Sequence, residues 1–297
     1  MSVPNALPHR SSWFSPVPIF FVLLWSTGFI VAKLGLPYAP PLTFLILRGL
    51  GVILVLLPIV LIWKAPWPHG SILHVAVAGL LLQAGYVGGV WMSIDLGMPA
   101  GLSALIVGMQ PILTAIAAPL IGERVRPLQW LGLGLGLSGV ALVVYAKIEL
   151  SGLSAASIGL CLFALASITA GTMYQRRFCP RFDLRTGTVV QFAASVAVLL
   201  PLAILFERLD PALSSVEWTP SFVGALLWSV FALSIGAIFL LFKLIRRSAA
   251  TEVTSLMYLT PPTTALMAWL MFGEVFSLAG LAGMVVAVTG VAFVVKK

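Results

Sequence analysis

The side chains placed to recognise a solute in this chain are mostly uncharged, aromatic or amide in type: Trp25 with Ser26 and Thr27, Gln83 and Tyr86, Gln110, Ser167, Ser229, and Tyr258 with Thr260. Such groups stack and hydrogen-bond; they do not make or break covalent bonds. Bond chemistry would need an activated nucleophile or a metal centre. The sequence has no H-E-x-x-H, and its three histidines, His9, His69 and His74, fall at ends and in loops. Two cysteines, Cys161 and Cys179, imply no disulfide framework. An enzyme is therefore not expected, and neither is a cofactor or a metal. The binding candidates are Trp25, Tyr86, Gln110 and Tyr258. The Ser and Thr positions can equally serve their own helices by bonding back to the preceding turn.

One charged residue joins them. Arg48 lies a few residues inside a long apolar run. An arginine at the centre of a bilayer costs about 2.5–3.5 kcal/mol on insertion scales. The favoured expectation is that it snorkels to the outer surface. The other reading makes it the counter-charge for a carboxylate-bearing solute. No Asp or Glu stands clearly at mid-run, with Glu252 and Asp95 nearer the ends, so a simple proton relay is hard to place.

The elements that must hold these residues are set by composition. Of 297 residues, 60% are hydrophobic and 9% charged, against roughly 25% charged in a soluble domain. There is too little polar surface to solvate a globule, and the alternative solvent is lipid. Apolar runs cover Val17–Leu36, Leu42–Trp63, Ser71–Ile94, Pro99–Leu120 and Leu128–Ala146, then Leu153–Gln175, Thr186–Phe206, Thr219–Phe242, Ala249–Phe272 and Ser277–Val295. Each is close to the 20 or so residues a spanning helix needs, and none alternates as a barrel strand would. The expected fold is all-α and integral to the membrane, with about ten spans. The uncharged candidates fall near the middles of their runs, where lipid offers them no partner, so they should face the bundle interior.

The net charge of +8 reads as topology. With a cytoplasmic N-terminus, Arg124, Arg126, Arg176, Arg177, Arg181, Arg185, Arg246 and Arg247 all fall in inner loops. This obeys the positive-inside rule and puts both termini in the cytoplasm. A nucleic-acid partner is not expected. Lys33-Leu34-Gly35 does not resemble a cleavage site, so the first run is expected to stay as an anchor.

The chain also repeats itself. At a constant offset of 151, residues 98–144 align without a gap on 249–295: Pro111 on Pro262, Gly122-Glu123 on Gly273-Glu274, Gly132 on Gly283, and Gly139-Val140-Ala141 on Gly290-Val291-Ala292. The division falls at 1–147 and 148–297. Five spans per unit is odd, so the second unit enters the bilayer from the other side. Inverted repeats suit alternating access, because exchanging the conformations of the halves turns an inward-open form outward. Pro111 and Pro261-Pro262 are expected to kink the fourth and ninth spans. Small residues on the fifth and tenth, Gly132, Gly136 and Gly139 with Gly283, Ala287 and Gly290, suit close helix packing, either within a monomer or between copies of a homodimer.

These features resemble the drug/metabolite transporter superfamily, EamA type. The resemblance rests on Trp25-Ser26-Thr27-Gly28-Phe29 with Lys33, on Pro40-Pro41-Leu42-Thr43-Phe44 leading to Arg48, and on the Ala100–Pro111 segment closing in Gly122-Glu123 with its second-half counterpart. It departs at Ala166-Ser167-Ile168-Thr169, which lacks the tryptophan of the first half. It implies two five-helix units around a central cavity in the plasma (inner) membrane, and export of small amphipathic metabolites or drugs. A flippase for lipids or lipid-linked precursors is the alternative that the same symmetry would serve.

Overall fold

A computed structural model of the chain describes residues 16–98, 103, 106–122, 124–145, 154–179, 181–237, 239–241, 244, 253, 255–272 and 278–295. The Gly-Glu pairs extend beyond them at Glu123, Gly273 and Glu274, as does Glu252. The helices are α1 (Pro16–Gly35), α2 (Pro41–Ile62), α3 (Ile72–Asp95), α4 (Gln110–Ala117), α5 (Pro127–Tyr145), α6 (Ala155–Phe178), α7 (Leu184–Phe206), α8 (Pro220–Leu241), α9 (Thr260–Phe272) and α10 (Leu278–Val295). Five of them, α2, α3, α6, α7 and α8, are long and apolar enough to cross a membrane.

Polarity is arranged inside-out. Leu54, Leu61, Ile62, Leu205 and Leu278 are exposed, Leu54 by 75%, while Ser26, Thr43, Gln83, Gln110, Gln175 and Gln191 are buried. Exposed apolar surface on this scale does not belong in water.

The helix starts follow from local sequence. Pro41 opens α2 at a position where its missing N–H costs nothing. The next two N–H groups are satisfied from a distance. The Glu207 carboxylate, at the end of α7, accepts from Leu42 N at 2.7 Å, Thr43 N at 2.8 Å and the Thr43 hydroxyl at 2.8 Å. Ser154, Asp183 and Thr219 cap α6, α7 and α8 in the ordinary way.

The prolines expected as mid-span kinks stand where the helical winding is interrupted. Pro111 lies in the first turn of α4, just after a turn at Gly108–Met109. Pro262 lies in the first turn of α9, just after a 3₁₀ turn at Leu256–Leu259. Both prolines thus open a new helical segment, where no backbone donor is lost.

Two helices are wound unusually. The middle of α3 (Leu80–Gly88) and the middle of α8 (Ser229–Ala237) are π-helical. This winding is rare and concentrates at functional sites. Along α3, glycines allow backbone-close crossings: Gly79 faces the Gln191 backbone of α7, Gly85 faces Ser167 of α6, and Gly89 faces Leu160 and Ala164 of α6.

The main helix pairs keep their form when α1–α5 are exchanged for α6–α10. α3 against α6 becomes α8 against α1, α3 against α7 becomes α8 against α2, and α4 against α6 becomes α9 against α1. α2 against α7 and α5 against α10 map onto themselves. In the last pair Gly132 meets the Gly290 carbonyl, Gly139 meets Gly283 and Ala287, and Gly290 meets Gly136. The small-residue stripe is used within the chain.

Candidate binding cavity

Between the two sets of helices lies a cavity of about 980 Å³ free of protein atoms, counting the part continuous with the outside. Its wall takes Trp25, Gly28 and Ala32 from α1, Arg48 from α2, Gln110 from α4, Ile168 and Thr172 from α6, and Leu233 and Leu241 from α8. Val253 and Met257 come from the approach to α9. The largest share comes from α3: Leu82, Gln83, Tyr86, Val87, Val90, Trp91 and Ile94. These recur at intervals of four. In an α-helix a step of four drifts by about 40°, so the row would wind away from the cavity. The wider π turn slows that drift and keeps the row on one face.

The polar groups of this wall are few. Trp25 and Tyr86 have parallel rings with centroids 6.3 Å apart. The Gln110 amide nitrogen donates to Thr172 Oγ1 at 3.2 Å, and that hydroxyl donates to the Ile168 carbonyl at 2.8 Å. Gln110 Oε1 is buried and has no partner among the described residues.

Arg48 departs from the snorkelling expectation. It is only 7% exposed and belongs to the cavity wall. Its Nε donates to Ser234 Oγ at 2.7 Å, and Ser234 passes the bond on to the Ser229 carbonyl at 2.7 Å, five residues back in the π segment of α8. Its guanidinium carbon sits 5.7 Å from the Phe192 ring centroid. The physical reason is that α8 offers an interior acceptor at lower cost than a path along the lipid face.

Trp25, Arg48, Tyr86 and Gln110 therefore share one cavity. Tyr258 does not join them. It is fully buried, with its ring against Gly136 of α5 and its hydroxyl without a partner among the described residues. The 3₁₀ turn at Leu256–Leu259 alters the facing of each residue relative to an α-helix, so Met257 takes the wall position. Sequence reasoning missed Met257, Trp91 and Thr172. Trp91 carried a signal, as a large aromatic in the same run as Tyr86.

The family model for the EamA-like transporter family matches this chain twice, over residues 17–145 and 157–296. The chain belongs to the EamA-like transporter family. Among its relatives is "Uncharacterized transporter YvbV" of Bacillus subtilis (strain 168), 29% identical over 94% of this chain and 90% of that protein. "Uncharacterized inner membrane transporter YedA" of Escherichia coli (strain K12) is 29% identical over 86% and 81%. A "Probable amino-acid metabolite efflux pump" of Salmonella typhimurium is 26% identical over 92% and 91%. One crystal structure superimposes with a TM-score of 0.76 at 20% identity, covering 94% of this chain and 95% of that one, and shows a shared fold. An EamA-like chain is a membrane transporter and not an enzyme.

Proposed function

We propose that this transporter exports small amphipathic metabolites, amino acids or related compounds, by alternating access. The observation that carries the reading is one cavity walled by both halves of the chain, between helix sets whose main pairings are preserved when the halves are exchanged. Two inverted five-helix repeats, 1–147 and 148–297, account for that exchange. The names of the Salmonella and Escherichia relatives support export of amino-acid metabolites and an inner-membrane location. The test is counterflow by purified protein in liposomes across a panel of amino acids and N-acylated derivatives. At least one labelled compound is expected to exchange faster than in protein-free liposomes. No exchange with any member would overturn the reading.

Tyr86 gives a sharper check on the wall. Replacing it by Ala removes a large anchor, a loss worth upward of about 1 kcal/mol and roughly tenfold in affinity. Transport at matched abundance should fall accordingly. Unchanged kinetics would make Tyr86 a packing group.

The topology is open to direct measurement. Reporter fusions after Lys297 and after Arg181 should both read as cytoplasmic, as the inner charge excess requires. A periplasmic signal from either would remove the inverted arrangement.

A further inference from the structure

The geometry points to a monocarboxylate as the solute's headgroup, with the Arg48 guanidinium as its partner; this rests on the transporter reading above. Arg48 is the only charged side chain among the described residues lining the cavity. Its Nε is held by Ser234, and its two terminal nitrogens have no hydrogen-bond or ion-pair partner among the described residues. The described acids are engaged elsewhere or are not among the wall residues. Asp183 pairs with Arg185, Glu207 caps α2, and Asp210 bonds Ser214. Asp95 and Glu217 are not among the lining residues.

A buried cation without a counter-charge is costly in a low-dielectric interior, and such groups inside membranes mark solute or ion paths. A planar fork with two unused donors matches a carboxylate in bidentate geometry. A single cation balances a single negative charge; a phosphate dianion would leave the site with excess charge. The rest of the wall is apolar or aromatic, Trp25, Tyr86, Trp91, Ile168 and Met257 among it, which fits an apolar body behind the acid. Ser234 and Phe192 act as positioning residues. One fixes Nε and the other lies against the guanidinium.

The experiment uses matched pairs that differ only in charge: N-acetyl-leucine, N-acetyl-phenylalanine and N-acetyl-tryptophan, each against its neutral amide. Binding to full-length purified protein is measured by equilibrium dialysis, and exchange by counterflow in liposomes. In the wild type the acid is expected to bind roughly ten- to hundred-fold tighter than its amide in the best-bound pair. Arg48→Gln should abolish that preference. Arg48→Lys, which keeps charge but not the fork, should lose most of it. Ser234→Ala leaves the cation and should weaken the preference several-fold. The wild-type comparison stands even where an Arg48 variant does not fold. Amides bound as well as acids, or a preference that survives in Arg48→Gln, would overturn this inference while leaving the transporter reading intact. A panel in which nothing is bound or exchanged would overturn both.

Discussion

Gly139→Ala is expected to destabilise the protein, where the same change at Gly134 should be neutral or stabilising. In an open helix position alanine is favoured over glycine by about 1 kcal/mol. Gly134 is such a position, with nothing within 4 Å of an added Cβ. At Gly139 the new carbon would fall 2.6 Å from the Gly283 carbonyl oxygen and 2.7 Å from Ala287 Cα. Those are backbone atoms of α10 and cannot turn aside, so the helices must part. Overpacking of this kind costs about 1–3 kcal/mol, and Gly139→Leu should cost more. Both cysteines are buried, so a thiol-reactive fluorophore reports unfolding directly. Coincident melting of the Gly134→Ala and Gly139→Ala proteins would show that the α5–α10 contact is loose.

Glu207→Ala should produce a comparable loss by a different route. It strips the start of α2 of an acceptor for two backbone N–H groups and one hydroxyl. Hydrogen bonds to a charged group contribute about 1.5–3 kcal/mol, and a lost N-cap typically about 1 kcal/mol. Pro40 stands at the N-cap and Pro41 opens the helix, so no Ser or Asp side chain at the cap can take over. The net expectation is about 2–3 kcal/mol, read as earlier thiol labelling on heating. Glu207→Gln should recover only part of it, since its amide nitrogen cannot accept. Wild-type melting in the alanine variant would show that water replaces the carboxylate without loss.

The helical, membrane-bound character was legible because it rests on length and composition, which survive any error in detail. That Gly132, Gly136 and Gly139 pack closely against a helix was legible too, because small residues at helical spacing have few other uses; that the partner is α10 of the same chain was not. The facing of individual side chains was less so. Tyr258 sits at mid-run and reads as interior, which it is, yet a 3₁₀ turn sends it to Gly136 and leaves the cavity to Met257. Periodic reasoning assumes 3.6 residues per turn, and it fails where the winding changes. Arg48 failed for another reason. Depth in the bilayer says how far the interface lies, but whether a side chain reaches for it depends on what stands beside it. Ser234, far away in sequence, decides that.

The interlock of α5 with α10 also limits how the molecule can move. An axial slip by one residue would replace Gly283, Ala287 and Gly290 at the contact by Met284, Val288 and Val291. The backbones could not stay where they are. Turning about the line of contact leaves every glycine opposite its partner. In kinematic terms the glycine interlock resists translation more than rotation, and it joins the first half of the chain to the second. A rearrangement that keeps this contact intact would have to turn about it rather than slide along it.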